Sequence, residues 1–152
     1  MKNIVVLSDT HNKMRLDSKL YTVLDECDYI IHLGDGLKDA RELKSAFGEK
    51  FFAIEGNCDS LYAKEFELLQ VEDVKILFTH GHCQNVKSNT KILEMVAKSN
   101  QANLVLFGHT HKPIINKVEE LTIINPGSLM SANTYCYLTI IKDKILAKIV
   151  SR

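Results

Sequence analysis

The sequence predicts an α/β protein in which two packed sheets carry helices on their outer faces. Three observations lead there. Short continuous apolar runs alternate with helical-period stripes through the first two thirds of the chain. The last third is almost wholly strand-like, more strand than one doubly wound sheet needs. No linker, repeat or biased tract divides the 152 residues, so 1–152 reads as a single domain around one core.

The elements follow in order. Ile4–Leu7 is a buried strand by its β-branched and apolar run. Leu16, Leu20, Val23 and Leu24 then recur at helical spacing. Tyr29–Leu33 is a second apolar strand, in which His32 reads as a satisfied core histidine. Leu37, Ala40, Leu43 and Phe47 form a second helical stripe that carries Asp39, with Gly48 as its stop. Phe51–Ile54 is a third strand. Glu65–Val71 and Val74–Thr79 flank Glu72-Asp73 as a hairpin. Ile92, Leu93, Met95 and Val96 mark a third helix, with Ser88, Asn89 or Thr90 as its cap. Leu104–Phe107, Ile114–Val118, Leu121–Asn125, Tyr135–Ile141 and Ile145–Val150 complete the strands, the last two joined by a turn at Lys142-Asp143-Lys144.

Composition removes several function classes. Nineteen basic and nineteen acidic residues cancel, so no basic excess points to a nucleic-acid partner. No apolar run approaches the roughly 20 residues of a membrane span, and the first residues read as a strand rather than a signal peptide. A cytoplasmic protein is expected. Cys27, Cys58, Cys83 and Cys136 form no C-x-x-C pair and read as free thiols, with Cys27, Cys83 and Cys136 as packing residues.

Five predicted strands each end in a polar cluster: Ser8-Asp9-Thr10-His11, Gly34-Asp35-Gly36, Glu55-Gly56-Asn57-Cys58-Asp59, His80-Gly81-His82 and Gly108-His109-Thr110-His111. Ligands in open α/β sheets bind at the carboxyl ends of strands, so side-by-side strands would bring these clusters to one crevice. Five of the six histidines lie there, which random placement would not produce. Imidazole and carboxylate suit borderline divalent ions. Asp9, His11, Asp35, Asn57, His80, His109 and His111 are too many ligands for one tetrahedral zinc. They suit two ions sharing a carboxylate, a device for in-line phosphoryl displacement with the ions about 3.5–4 Å apart.

The ordered set Asp9-x-His11, Gly34-Asp35, Gly56-Asn57-Cys58-Asp59, His80-Gly81-His82 and Gly108-His109-Thr110-His111 resembles the calcineurin-like metallophosphoesterase superfamily. Together with Asn125-Pro126-Gly127-Ser128 it is similar to the small bacterial and archaeal phosphodiesterase branch. The resemblance implies a four-layer α/β/β/α sandwich and hydrolysis of a small phosphoester by a hydroxide bridging two divalent ions. It implies manganese as the working metal, with nickel, cobalt, iron or zinc also compatible. It assigns Asp9, His11 and His111 to one ion, Asn57, His80 and His109 to the other, and Asp35 as the bridge, and it places Asn125–Ser128 beside the site. The fold is also similar to that of the retromer scaffold subunit, so a non-catalytic protein-binding scaffold is the alternative; an intact ligand set argues against it.

Cys58 departs from the pattern, because many members have histidine there. A thiol replaces an imidazolium poorly near neutral pH, so good leaving groups are expected to turn over better than alkyl ones. His82 is a candidate for the missing acid or a loop histidine. Asp59 orients a neighbour, touches substrate or only shapes its turn. A homodimer is admissible on base rates alone.

Overall fold

The computed structural model describes residues 1–152. Ten strands form two five-stranded mixed sheets. The first has the order β10-β9-β1-β2-β3, from β1 (Lys2–Leu7), β2 (Tyr29–His32), β3 (Phe51–Ala53), β9 (Thr134–Ile141) and β10 (Lys144–Ser151). The second has the order β4-β5-β6-β8-β7, from β4 (Glu67–Val71), β5 (Val74–Thr79), β6 (Leu104–Phe107), β7 (Ile114–Val118) and β8 (Leu121–Asn125). Helices α1 (Ser18–Glu26), α2 (Leu37–Phe47) and α3 (Lys91–Ser99) complete the molecule.

Side-chain alternation along the strands builds the layers. Ile4 and Val6 of β1 enter a cluster with Ile76 and Phe78 of β5 and Leu104 and Leu106 of β6, the core between the sheets. Val5 and Leu7 face the other way, onto Leu20 and Leu24 of α1 and Leu43 and Phe47 of α2. On the second sheet Leu77, Val105 and Phe107 turn outward onto Leu93 and Ala97 of α3. The period of two along a strand therefore feeds two cores from one apolar run. Burying each such side chain stabilises the fold by about 1.5–3 kcal/mol. The result is the α/β/β/α sandwich, whose parallel pairs are β1–β2, β2–β3, β5–β6 and β6–β8.

Several boundaries differ from the expected ones for physical reasons. Leu16 is exposed and precedes α1, because Asp17 accepts a hydrogen bond from the Leu20 amide and caps the helix. Ile92 and Met95 of α3 are exposed, and its buried face is Leu93 and Ala97. Strand β4 begins at Glu67 rather than Glu65, whose carbonyl accepts from Thr79 Oγ1 and Gln84 Nε2 instead of a ladder amide. Cys83 is exposed and does no packing, in contrast to the buried Cys27 and Cys136; all four thiols are free. The expected tight turns form, with Glu72 and Lys142 at positive φ. No helix is long and apolar enough to cross a membrane.

Candidate metal centre

Parallel strands β1, β2 and β3 release their chain at one edge of the first sheet, and β5 and β6 do so at the matching edge of the second. The five polar clusters meet there. Gly34 is needed for the approach: its φ is +97°, and a Cβ would meet the Gly56 backbone. Five of the clustered residues, Asp9, His11, Asp35, His109 and His111, also hold positive φ, between 49° and 66°. Such backbone costs about 1 kcal/mol or more per residue and gathers at functional sites.

Asp9 is fully buried. Its Oδ2 accepts from Ser8 Oγ at 2.5 Å and from the His109 amide at 3.1 Å. Ser128 donates its hydroxyl to the Asp9 carbonyl. These bonds leave Oδ1 facing inward, 3.1 Å from His111 Nε2 and 3.9 Å from His11 Nε2. The two Nε2 atoms lie 3.3 Å apart, and His111 Nδ1 pairs with Ser131 Oγ at 3.2 Å.

The second group centres on His80. Its Nδ1 lies 2.7 Å from the Leu33 carbonyl, which can only accept, so that nitrogen carries the proton. In the neutral ring Nε2 is then a bare acceptor. It lies 3.0 Å from Asn57 Oδ1, 3.2 Å from His109 Nδ1 and 3.3 Å from Asp35 Oδ2. In that state the converging lone pairs repel, and a cation among them, a proton on Nε2 or a metal ion, relieves them. Burial presses the His80 imidazole toward neutrality, but its bond to Asp35 and the fields of Asp9 and Asp35 outweigh this and raise its pKa. The proton answers the same field that a divalent ion would.

Asp35 is buried and shared. It groups with His80 and His109, and separately with His11 and Cys58, the ligand atoms of each group lying within 4.8 Å of one another. Asp9, His11 and His111 form a third such group. Burial alone would raise the Asp35 pKa; the His80 bond and charge and the Cys58 amide hold it well below the usual carboxylate range. No lysine or arginine pairs with Asp9 or Asp35; the only basic side chains paired with them are histidines. Two buried carboxylates with no lysine or arginine beside them, facing imidazole nitrogens and an amide oxygen, fit divalent-ion binding. His109 is pressed down to about 4 by burial, then by His80 and Lys87, so it stands ready as a neutral donor.

The remaining predicted residues separate. Asp59 organises backbone: its carboxylate accepts from the amides of Asp35, Gly36, Leu37 and Gly56 at 2.7–3.0 Å. Cys58 is exposed at the rim, its thiol pKa raised by burial and then by Asp35. The His82 ring lies beside His80 and His109, at centroid distances of 5.4 and 6.2 Å; its pKa is lowered by burial, then by His80, and its Nδ1 has no protein partner. His32 is a satisfied core residue between Thr10 Oγ1 and the Gly34 amide. Asp39 lies on α2 and accepts from the Met14 amide. Ser8, Thr10 and Ser131 were not singled out by sequence reasoning. Ser8 sits inside a recognised cluster, but nothing in the sequence marks Ser131. Asn125 and Ser128 do border the site: Asn125 Nδ2 donates to the Gly108 carbonyl and to Thr110 Oγ1.

The model of the calcineurin-like phosphoesterase superfamily domain matches residues 1–143. A probable metallophosphoesterase of Mycoplasma genitalium is 31% identical over 95% of this chain and 90% of its own. A phosphodiesterase of Methanocaldococcus jannaschii is 29% identical over 82% of each chain. The crystal structure of a predicted phosphoesterase from Streptococcus pneumoniae covers 99% of this chain and 89% of that one, at a TM-score of 0.82 and 24% identity. Vps29 of Entamoeba histolytica, crystallised with Zn2+, covers 97% of this chain and 98% of its own, at a TM-score of 0.77 and 18% identity, a likeness of fold alone.

Proposed function

This chain belongs to the calcineurin-like phosphoesterase superfamily, and from that premise we propose that it hydrolyses phosphodiesters at a centre of two divalent ions, manganese being the working metal. Asp9, His11 and His111 would hold one ion. Asn57, His80 and His109 would hold the other, with Asp35 shared. When bound, such a pair supplies a hydroxide at neutral pH and neutralises charge on the phosphoryl oxygens.

The observation that carries this reading is the convergence of bare acceptors around His80 Nε2 beside two buried carboxylates that no lysine or arginine neutralises. The chain's own residues do the positioning. Leu33 and Ser131 fix the outer nitrogens of His80 and His111, which sets ring orientation and donor strength. Ser8 and the His109 amide occupy one oxygen of Asp9 and leave the other for a ligand role. Asp59 ties the loop that presents Asp35 to the loop that presents Asn57.

The test is hydrolysis of bis(p-nitrophenyl) phosphate by chelator-stripped protein, with and without added Mn2+, beside Asp35→Asn. Activity should return with metal. The variant should lose more than the roughly 10–100-fold typical of outer partners. Folded protein that stays inactive with every divalent ion would overturn the proposal and leave a protein-binding scaffold of the same fold.

A further inference from the structure

We propose that the cavity between Thr110 and the start of α3, flanked by Lys87 and Lys112, is a subsite for a second phosphate group on the substrate. This deepens, and rests on, the phosphodiesterase reading above. The cavity has a volume of about 480 Å³, and Thr110, the residue between His109 and His111, forms part of its wall. It therefore adjoins the place where the scissile phosphate would sit.

Its lining suits an anion. Lys87 and Lys112 are exposed and, like most of the lysines, take part in none of the molecule's ion pairs. In a chain of zero formal net charge, two unpaired ammonium groups on one cavity are a local excess. No carboxylate lines the cavity. The nearest acidic residue of α3, Glu94, is bound by Thr90 Oγ1 and lines a different cavity.

The topology adds a third contribution. Helix α3 lies between parallel strands β5 and β6, so its N-terminus opens on the same edge as the metal centre. Its N-cap, Thr90, lines the cavity and makes no side-chain bond to the first-turn amides. Asn89 Oδ1 accepts from the Lys91 amide, which leaves the amides of Ile92 and Leu93 without a side-chain partner at the positive end of this nine-residue helix. Thr110 Oγ1 accepts from Asn125 Nδ2 and the Lys112 amide, so its own proton is free to donate. Val86, Phe107 and Ile114 supply an apolar floor for the carbon skeleton that joins two phosphates. The substrate class is a small organic phosphodiester with a second, non-scissile phosphate.

The experiment has two arms. In the first, thymidine 5′-(p-nitrophenyl phosphate) is compared with its 3′-phosphorylated form, using Mn2+-loaded protein. Wild type should prefer the 3′-phosphorylated diester. Lys87→Ala/Lys112→Ala should reduce the ratio of the two kcat/KM values by about tenfold or more, and Lys87→Arg/Lys112→Arg should largely keep it. An unchanged ratio in the alanine variant would overturn the subsite. In the second arm, chelator-stripped protein is titrated with inorganic pyrophosphate and followed by amide chemical shifts. Saturable shifts at Lys87, Thr90 and Thr110, lost in the alanine variant, are expected; their absence in wild type, or their persistence in the variant, would overturn the proposal. Failure of wild type to hydrolyse either diester would count against the phosphodiesterase reading, and the second arm would still decide the subsite.

Discussion

At the scale of single residues, the centre depends on atoms that never face its interior. Ser8 Oγ lies 2.5 Å from Asp9 Oδ2 and decides which carboxylate oxygen is free. Ser8→Ala should weaken divalent-ion binding by about tenfold while leaving the far-ultraviolet spectrum intact; a metal titration reads it, and unchanged affinity would mean that the His109 amide alone suffices. His32 carries a different consequence. Burial holds its imidazole at about 4, against 6.5 for the ordinary group. Between those values the unfolded chain binds a proton that native His32 refuses, so stability falls as pH falls. His109 pulls in the same direction and His80, with its raised pKa, opposes it. For His32 the loss from pH 7 to pH 5 is about 2 kcal/mol. Denaturant unfolding of chelator-stripped protein should show a shallower pH dependence in His32→Gln; an identical slope would clear His32 as the cause.

At the scale of elements, what the sequence made legible was whatever a period could encode. Leu104–Phe107, Ile114–Val118 and Leu121–Asn125 coincide with β6, β7 and β8, because each is a short apolar or alternating run bounded by turn chemistry. The start of α1 was misplaced because Leu16 continues the apolar spacing, whereas a hydrogen bond from Asp17 sets the boundary. Capping outranks spacing at a helix end. Asp17→Ala should therefore cost about 1 kcal/mol, and somewhat more because Arg152 also bonds to Asp17. Thermal unfolding checks it; no change would place the start of α1 under the control of packing by Leu20 and Leu24. The gathering of the site residues was legible for a related reason: each cluster follows a parallel strand, and parallel strands end together. Their supports were not, because Ser131 and His111 meet only across the fold, twenty residues apart.

At the scale of the molecule, the two sheets are joined by the core between them and by the candidate centre at one edge. Asp9, His11, Asp35 and Asn57 follow strands of the first sheet; His80, His109 and His111 follow strands of the second. Each proposed ligand set draws on both, Asp9 and His11 with His111, and Asn57 with His80 and His109. A bound ion would act as a clamp between sheets and relieve the repulsion of two buried carboxylates. Because these ligands converge only in the folded chain, binding should add RT ln(1 + [L]/Kd), about 2.7 kcal/mol at a hundredfold excess over Kd. In a domain of this size that corresponds to a rise in Tm of roughly 5–10 °C. Adding Mn2+ to chelator-stripped protein should produce such a rise in wild type and a much smaller one in Asp35→Asn, the variant that loses the shared carboxylate. Equal shifts in both would mean that the ion stabilises the protein elsewhere, and that Asp35 does not hold the two halves of the site together.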